Sequence, residues 1–161
     1  MSSSPEVVNG IVYVGSKDKN LYAIDALTGK EQWRFKTGDI VSSSPAVSNG
    51  IIYIGSKDFN LYAIDTMTGK ERWRFKTGGS MMDLSPEVSN GVVYVGSMDN
   101  NLYAIDSLTG KEKWRFRTGY DVTSSPAVSN NVVDVGSDDK NCMQSMQLLG
   151  RRSGGSRREV L

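Results

Sequence analysis

One phrase of 28 residues occurs three times in this chain, and a chain that repeats itself so closely folds by stacking copies of one small unit. Residues 11–38 read IVYVGSKDKNLYAIDALTGKEQWRFKTG, and residues 51–78 and 92–119 each match them at 22 of 28 positions. Trp33, Trp73 and Trp114 mark the spacing, 40 and then 41 residues apart. A period of roughly 40 residues built from short strands is the pattern of propeller blades, each a sheet that buries its faces on its neighbours. The same likeness argues against a specialised active site, because near-identical units carry near-identical surfaces.

One unit reads as four antiparallel strands. Residues 4–8 form a first strand, A, and Asn9-Gly10 is the two-residue turn that hairpins favour because both residues tolerate positive φ. Ile11-Val12-Tyr13-Val14 is strand B, β-branched and aromatic throughout. After a turn through residues 15–20, Leu21-Tyr22-Ala23-Ile24 is strand C. Asp25 to Lys30 turn the chain back, with Asp bonding nearby backbone and Gly29 supplying a positive φ. Residues 31–36, EQWRFK, form strand D, alternating apolar and charged. No helical periodicity occurs in residues 1–141. The expected architecture is all-β: a partial β-propeller with blades at about 2–41, 42–82 and 83–122, a half blade at 123–141, and an irregular or disordered tail at 142–161.

The segment from Ala23 to Trp33 resembles the A-x-D-x-x-x-G-x-x-x-W motif of the pyrroloquinoline-quinone-type propeller repeat, a family that includes outer-membrane assembly lipoproteins. Its residues are Ala23, Asp25, Gly29 and Trp33; they recur as Ala63, Asp65, Gly69 and Trp73, and as Ala104, Asp106, Gly110 and Trp114. The resemblance implies that strand A lies nearest a central axis. It also implies that each Trp docks between adjacent blades onto the small Ala position. An indole suits that role, having a large apolar area and one N–H for a neighbouring carbonyl.

A fourth repeat starts and breaks off. Residues 125–130 and 132–137 restart strands A and B, with Asp134 where Tyr13, Tyr53 and Tyr94 stand; then the pattern vanishes into CMQSMQLLGRRSGGSRREVL. Allowed codons for that tail, shifted by one base, read Leu-Tyr-Ala-Ile-Asp-Ala-Ala-Thr-Gly-Lys-Lys-Lys-Trp-Arg-Phe-Glu-Lys-Gly-Ser-Pro. This is the missing half blade, its Trp falling 40 positions after Trp114, where Gly154 stands. The expectation is a one-base deletion after codon 141. The fourth blade then keeps strands A and B, and strand B is left as a bare edge.

Composition removes several functions. Lys and Arg number 19 against 18 Asp and Glu, so a net charge of +1 gives no overall pull towards nucleic acid or membrane. Arg151, Arg152, Arg157 and Arg158 have no aromatic residue among them on which a base would stack, so no nucleic-acid partner is expected. No apolar run approaches the roughly 18 residues that span a bilayer. The first ten residues lack a basic stretch followed by an apolar one, so no export signal is read and the chain is expected to stay where it is made. Without histidine the commonest general base and metal ligand are missing, and Cys142 alone makes neither an intrachain disulfide nor a vicinal pair. Asp18, Asp58 and Asp99, with Asp25, Asp65 and Asp106, read as turn-formers rather than acids. No catalytic, cofactor-binding or metal site is assigned.

What remains is surface. The B–C turns and the D–A connections share one end of the blades, and there the repeats differ most: Lys17, Lys57 and Met98 correspond, as do Lys19, Phe59 and Asn100. The connection at residues 79–84 is one residue longer than its counterparts and adds Met81 and Met82, read as exposed apolar contacts beside Phe59. The resemblance implies a non-enzymatic scaffold that binds proteins or peptides. Two alternatives are a fragment of a quinone-dependent dehydrogenase and a repeat-array remnant with no selected activity. Three and a half blades do not close a ring, whereas two chains supply seven or eight positions, so a homodimer that completes a ring is expected.

Overall fold

The computed structural model describes residues 3–81, 83–130, 132–137 and 144–147, and among them there are strands and turns but no helix. The first sheet holds β1 (Glu6–Val8), β2 (Ile11–Gly15), β3 (Asn20–Asp25) and β4 (Glu31–Lys36). The second holds β5 (Ala46–Ser48), β6 (Ile51–Gly55), β7 (Asn60–Asp65) and β8 (Glu71–Lys76). The third holds β9 (Glu87–Ser89), β10 (Val92–Ser97), β11 (Asn101–Asp106) and β12 (Glu112–Arg117). In each, neighbours in sequence pair antiparallel, so each sheet is an up-and-down meander. The first strands of consecutive sheets adjoin, β1 with β5, β5 with β9, and β9 with β13 (Ala127–Ser129), which puts them innermost in a fan of sheets. This is the expected partial propeller.

Local chemistry sets each bend. Asn9, Asn49 and Asn90 have φ near 50° and the glycines after them φ near 75°, the left-handed pair that a tight hairpin needs. Between the third and fourth strands the register shifts after Ala23, Ala63 and Ala104, a bulge that lets a longer turn re-enter the sheet.

The core lies between sheets rather than within them. Tyr13, Leu21 and Ala23 of the first sheet pack with Ile52, Ile54, Tyr62 and Ile64 of the second. Ile51, Tyr53, Leu61 and Ala63 of the second pack with Val93, Val95, Tyr103 and Ile105 of the third. Sequence alone does not set how deeply a strand is buried. β7 and β11 are buried along both faces, while β3, of the same NLYAID sequence, alternates buried with half-buried because among the described residues the first sheet has a neighbour on one side only. Each large apolar side chain so enclosed is worth about 1.5–3 kcal/mol.

The fourth sheet corrects one expectation. β13 and β14 (Val132–Val135) form as predicted, but β14 is not a bare edge: β15 (Gln144–Gln147) pairs with it antiparallel. A row of unpaired N–H and C=O groups recruits whatever extended segment follows, and backbone pairing needs no propeller motif in the side chains. The rest of the expected tail, 148–161, and residues 138–143 lie outside the described residues.

Candidate functional site

The motif residues meet at the junctions between sheets. Tyr13 is paired with Ala23 and Ala23 with Trp33 in one cross-strand row, and the fully buried Ala leaves room for the two rings, whose centroids are 5.9 Å apart. From that row Trp33 Nε1–H donates to the Thr66 carbonyl oxygen of the second sheet at 3.1 Å, and the Tyr13 hydroxyl donates to the same oxygen at 3.4 Å. One sheet on, Trp73 and Tyr53 both donate to the Ser107 carbonyl oxygen at 3.1 Å. Tyr94 and Trp114 lie 5.9 Å apart over Ala104 at the third junction. Two of the indoles cover a glycine of the next sheet, Trp33 over Gly69 and Trp73 over Gly110.

Asp25, Asp65 and Asp106 build the turns that hold those glycines. Asp25 Oδ1 accepts the backbone N–H groups of Leu27 and Thr28 and the Thr28 hydroxyl, and Asp65 and Asp106 do the same with Thr68 and Thr109. The Thr28 and Thr109 bonds hold Asp25 and Asp106 below the usual carboxylate range, and for Asp65 the largest influence is its bond from Arg72. Asp58 Oδ2 accepts the Tyr62 hydroxyl at 2.6 Å and, from the preceding sheet's connection, the Gly38 N–H at 2.7 Å. Asp99 does the same with Tyr103 and Gly78. Burial, then the bond to the Asp, pushes the Tyr62 and Tyr103 phenols up to about 12. These carboxylates are committed to turns and junctions, and among the described residues no three His, Cys, Asp or Glu gather where a metal would sit. A calcium–quinone centre does not fit this donor set.

The variable face is held together by side chains of the connections. Thr37, Thr77 and Thr118 hydroxyls donate to the carbonyls of Lys19, Phe59 and Asn100, tying each D–A connection to its own sheet's B–C turn. On this face Lys17 and Phe59 are exposed, and Lys57 and Met98 are half-buried. Phe59 has φ of 72°, in the left-handed region. Met81 corrects an expectation: it is fully buried against Gly55, in the place that Val41 and Val122 take over Gly15 and Gly96. Its spacing gave the signal, since Val41, Met81 and Val122 each stand four residues after the Thr of a Thr-Gly pair. Met82 lies outside the described residues.

One feature has a plain signal in the sequence, the Ser-Pro pair that opens each inner strand. The N–H of Ser4 donates to Ser44 Oγ at 2.9 Å, that of Ser44 to Ser85 Oγ at 3.0 Å, and that of Ser85 to Ser125 Oγ at 2.9 Å. The hydroxyls thus form a ladder from sheet to sheet along the inner strands.

Residues 1–43 and 17–148 match the family described as outer membrane protein assembly factor BamB. Among solved structures, BamB from Moraxella catarrhalis aligns with a TM-score of 0.82 at 17% identity, covering 91% of this chain and 50% of that one. The computationally designed Ika4 protein aligns at 0.78 and 21% identity, covering 91% and 90%. Quinohemoprotein alcohol dehydrogenase ADHIIG from Pseudomonas putida HK5 aligns at 0.73 and 25% identity, covering 84% and 28%. The chain thus spans half the length of the Moraxella protein. No curated protein matches it.

Proposed function

Since this chain belongs to the family of outer membrane protein assembly factor BamB, we propose that it is a non-catalytic propeller scaffold that binds protein or peptide partners and associates with itself to complete a ring. One observation carries the reading. The sheets repeat one backbone frame almost residue for residue, and their differences include the face of Lys17, Lys57, Phe59 and Met98 with the connections beside it. A rigid frame that holds a few variable side chains at one end suits recognition better than chemistry. Trp33, Trp73 and Trp114 with their Ala, Asp and Gly partners serve as the docking contacts that hold this frame rigid.

A peptide library displayed on phage tests this reading. Extended peptides that are enriched on the chain and lost on Phe59→Asn support it; no enrichment on any sheet face overturns it. The non-catalytic part has its own check. Titration with pyrroloquinoline quinone and calcium is expected to leave the absorbance spectrum unchanged, and a saturable shift would establish a dehydrogenase fragment instead.

Asp134 favours a second reading, a repeat-array remnant with no selected activity. It replaces a junction Tyr and leaves a buried oxygen, Oδ1, without a partner among the described residues. The encoding DNA decides: codons 142–161 that read in the shifted frame as a half blade support the deletion, and codons that do not exclude it.

A further inference from the structure

The first sheet has a face that the described residues leave uncovered. Ile52, Tyr62 and Ile64 of the second sheet are buried against the first, and Val93, Tyr103 and Ile105 of the third against the second. Their counterparts on the first sheet, Val12, Tyr22 and Ile24, are half-exposed. The cradle for an indole is open as well. A β-carbon on Gly69 or Gly110 would collide with Trp33 or Trp73, whereas one on Gly29 meets nothing within 4 Å at nearly the same φ. Among the described residues Asp18, unlike Asp58 and Asp99, bonds no glycine N–H of another sheet.

The serine ladder gives this face a polarity. Each Ser lends its N–H to the next sheet and its hydroxyl to the one before. Among the described residues, the Ser4 hydroxyl at one end accepts nothing from another sheet, and the Ser125 N–H at the other has no partner. Acceptor and donor are the two halves of a contact that the chain already makes three times.

We infer that a second copy of this chain seats its fourth sheet on the uncovered face of the first sheet, head to tail, so that two copies close one ring of eight sheets. This rests on the self-association proposed above and names its surfaces. A two-fold arrangement forms both junctions at once and leaves no ladder end open, which is why a second copy fits better than an unrelated occupant. The joint is weakest on the fourth sheet, which offers Ala127, Val132 and Asp134 where the first offers Glu6, Ile11 and Tyr13. Asp134→Tyr is therefore expected to tighten the dimer at least tenfold.

Cross-linking in the full chain tests this. In a Cys142→Ser background, Ser4→Cys combined with Ser125→Cys is expected to give on oxidation a covalent dimer of twice 17.6 kDa, while neither single variant does. Native mass spectrometry of the unmodified chain is expected to show the same dimer, and Ile24→Lys, on the uncovered face, to return it to 17.6 kDa. A cross-link from Ser4→Cys alone would mean that two first sheets meet face to face. A cross-link from Ser4→Cys with Ser85→Cys would mean that the partner displaces the fourth sheet to close a ring of six. Either result overturns head-to-tail closure and leaves self-association standing. A chain that stays at 17.6 kDa at all concentrations overturns both.

Discussion

Trp33 covers Gly69 so closely that a β-carbon on that glycine would stand 2.7 Å from the indole Cδ2. Gly29 has the same turn and nearly the same φ, 68° against 66°, with open space in place of the indole. The two positions therefore separate backbone strain from packing. In dilute protein, Gly29→Ala is expected to cost only the left-handed conformation, about 1 kcal/mol. Gly69→Ala adds overpacking against a ring fixed on both sides, for about 2–4 kcal/mol in all. Denaturant melts of the two variants check this, and equal losses would show that the indole yields without cost.

The period, the four strands and the turn residues were legible in the sequence because each depends on local chemistry: Asn-Gly at the first turn, Asp25 and Gly29 at the third. Contacts that depend on which units adjoin were not. Val12 and Ile52 are alike in character, yet one is half-exposed and the other buried, since among the described residues only Ile52 has a sheet on that side. Met81 was misread because a longer connection draws attention to its length, while its position is set by the distance from Thr77. β15 was illegible, since its sequence carries no propeller pattern, and it pairs with β14 through the backbone.

Stability should fall at both ends of the pH scale. Asp25, Asp65 and Asp106 have folded pKa values below the ordinary carboxylate value of about 4. Their contribution is present above that value and is lost as pH falls through the lower folded values. Tyr62 and Tyr103 are raised to about 12, so theirs is present below the ordinary tyrosine value of about 10 and is lost as pH rises towards 12. Thermal melts are expected to hold level between about pH 5 and 9 and to drop on either side. Ultraviolet titration should show Tyr62 and Tyr103 ionising well above the ordinary tyrosine value of about 10, and Tyr62→Phe should soften the alkaline loss.

Lys19, Phe59 and Asn100 share one turn position with φ of 73°, 72° and 66°. Asn tolerates that conformation better than Lys or Phe. Lys19→Asn also removes an ion pair with Asp39 at 3.5 Å, but both side chains are nearly half exposed, so that loss is small. Strain relief wins, and Lys19→Asn is expected to stabilise the chain by about 0.5 kcal/mol. Phe59→Asn should come out near zero, because the exposed ring, 41% accessible rather than free, gives up as much packing as the backbone gains. Denaturation midpoints at equal m-value measure both, and a destabilised Lys19→Asn would show that the ion pair outweighs the strain.

Asp134 sets the last expectation. It pairs with Ala127 and Ser145 across the fourth sheet, in the row that carries Tyr in the other three, and its Oδ1 is buried without a partner among the described residues. An unsatisfied buried oxygen costs about 1–3 kcal/mol, and Asp is also a poor strand residue. Val removes the oxygen and favours the strand, so Asp134→Val should stabilise the fourth sheet. Because that sheet sits at the end of the fan, the gain should appear as slower hydrogen exchange at Val133 and Val135, more than as a change in global melting. Unchanged exchange at those two amides would show that the carboxylate finds a partner in solution and that this row is not the weak point of the chain.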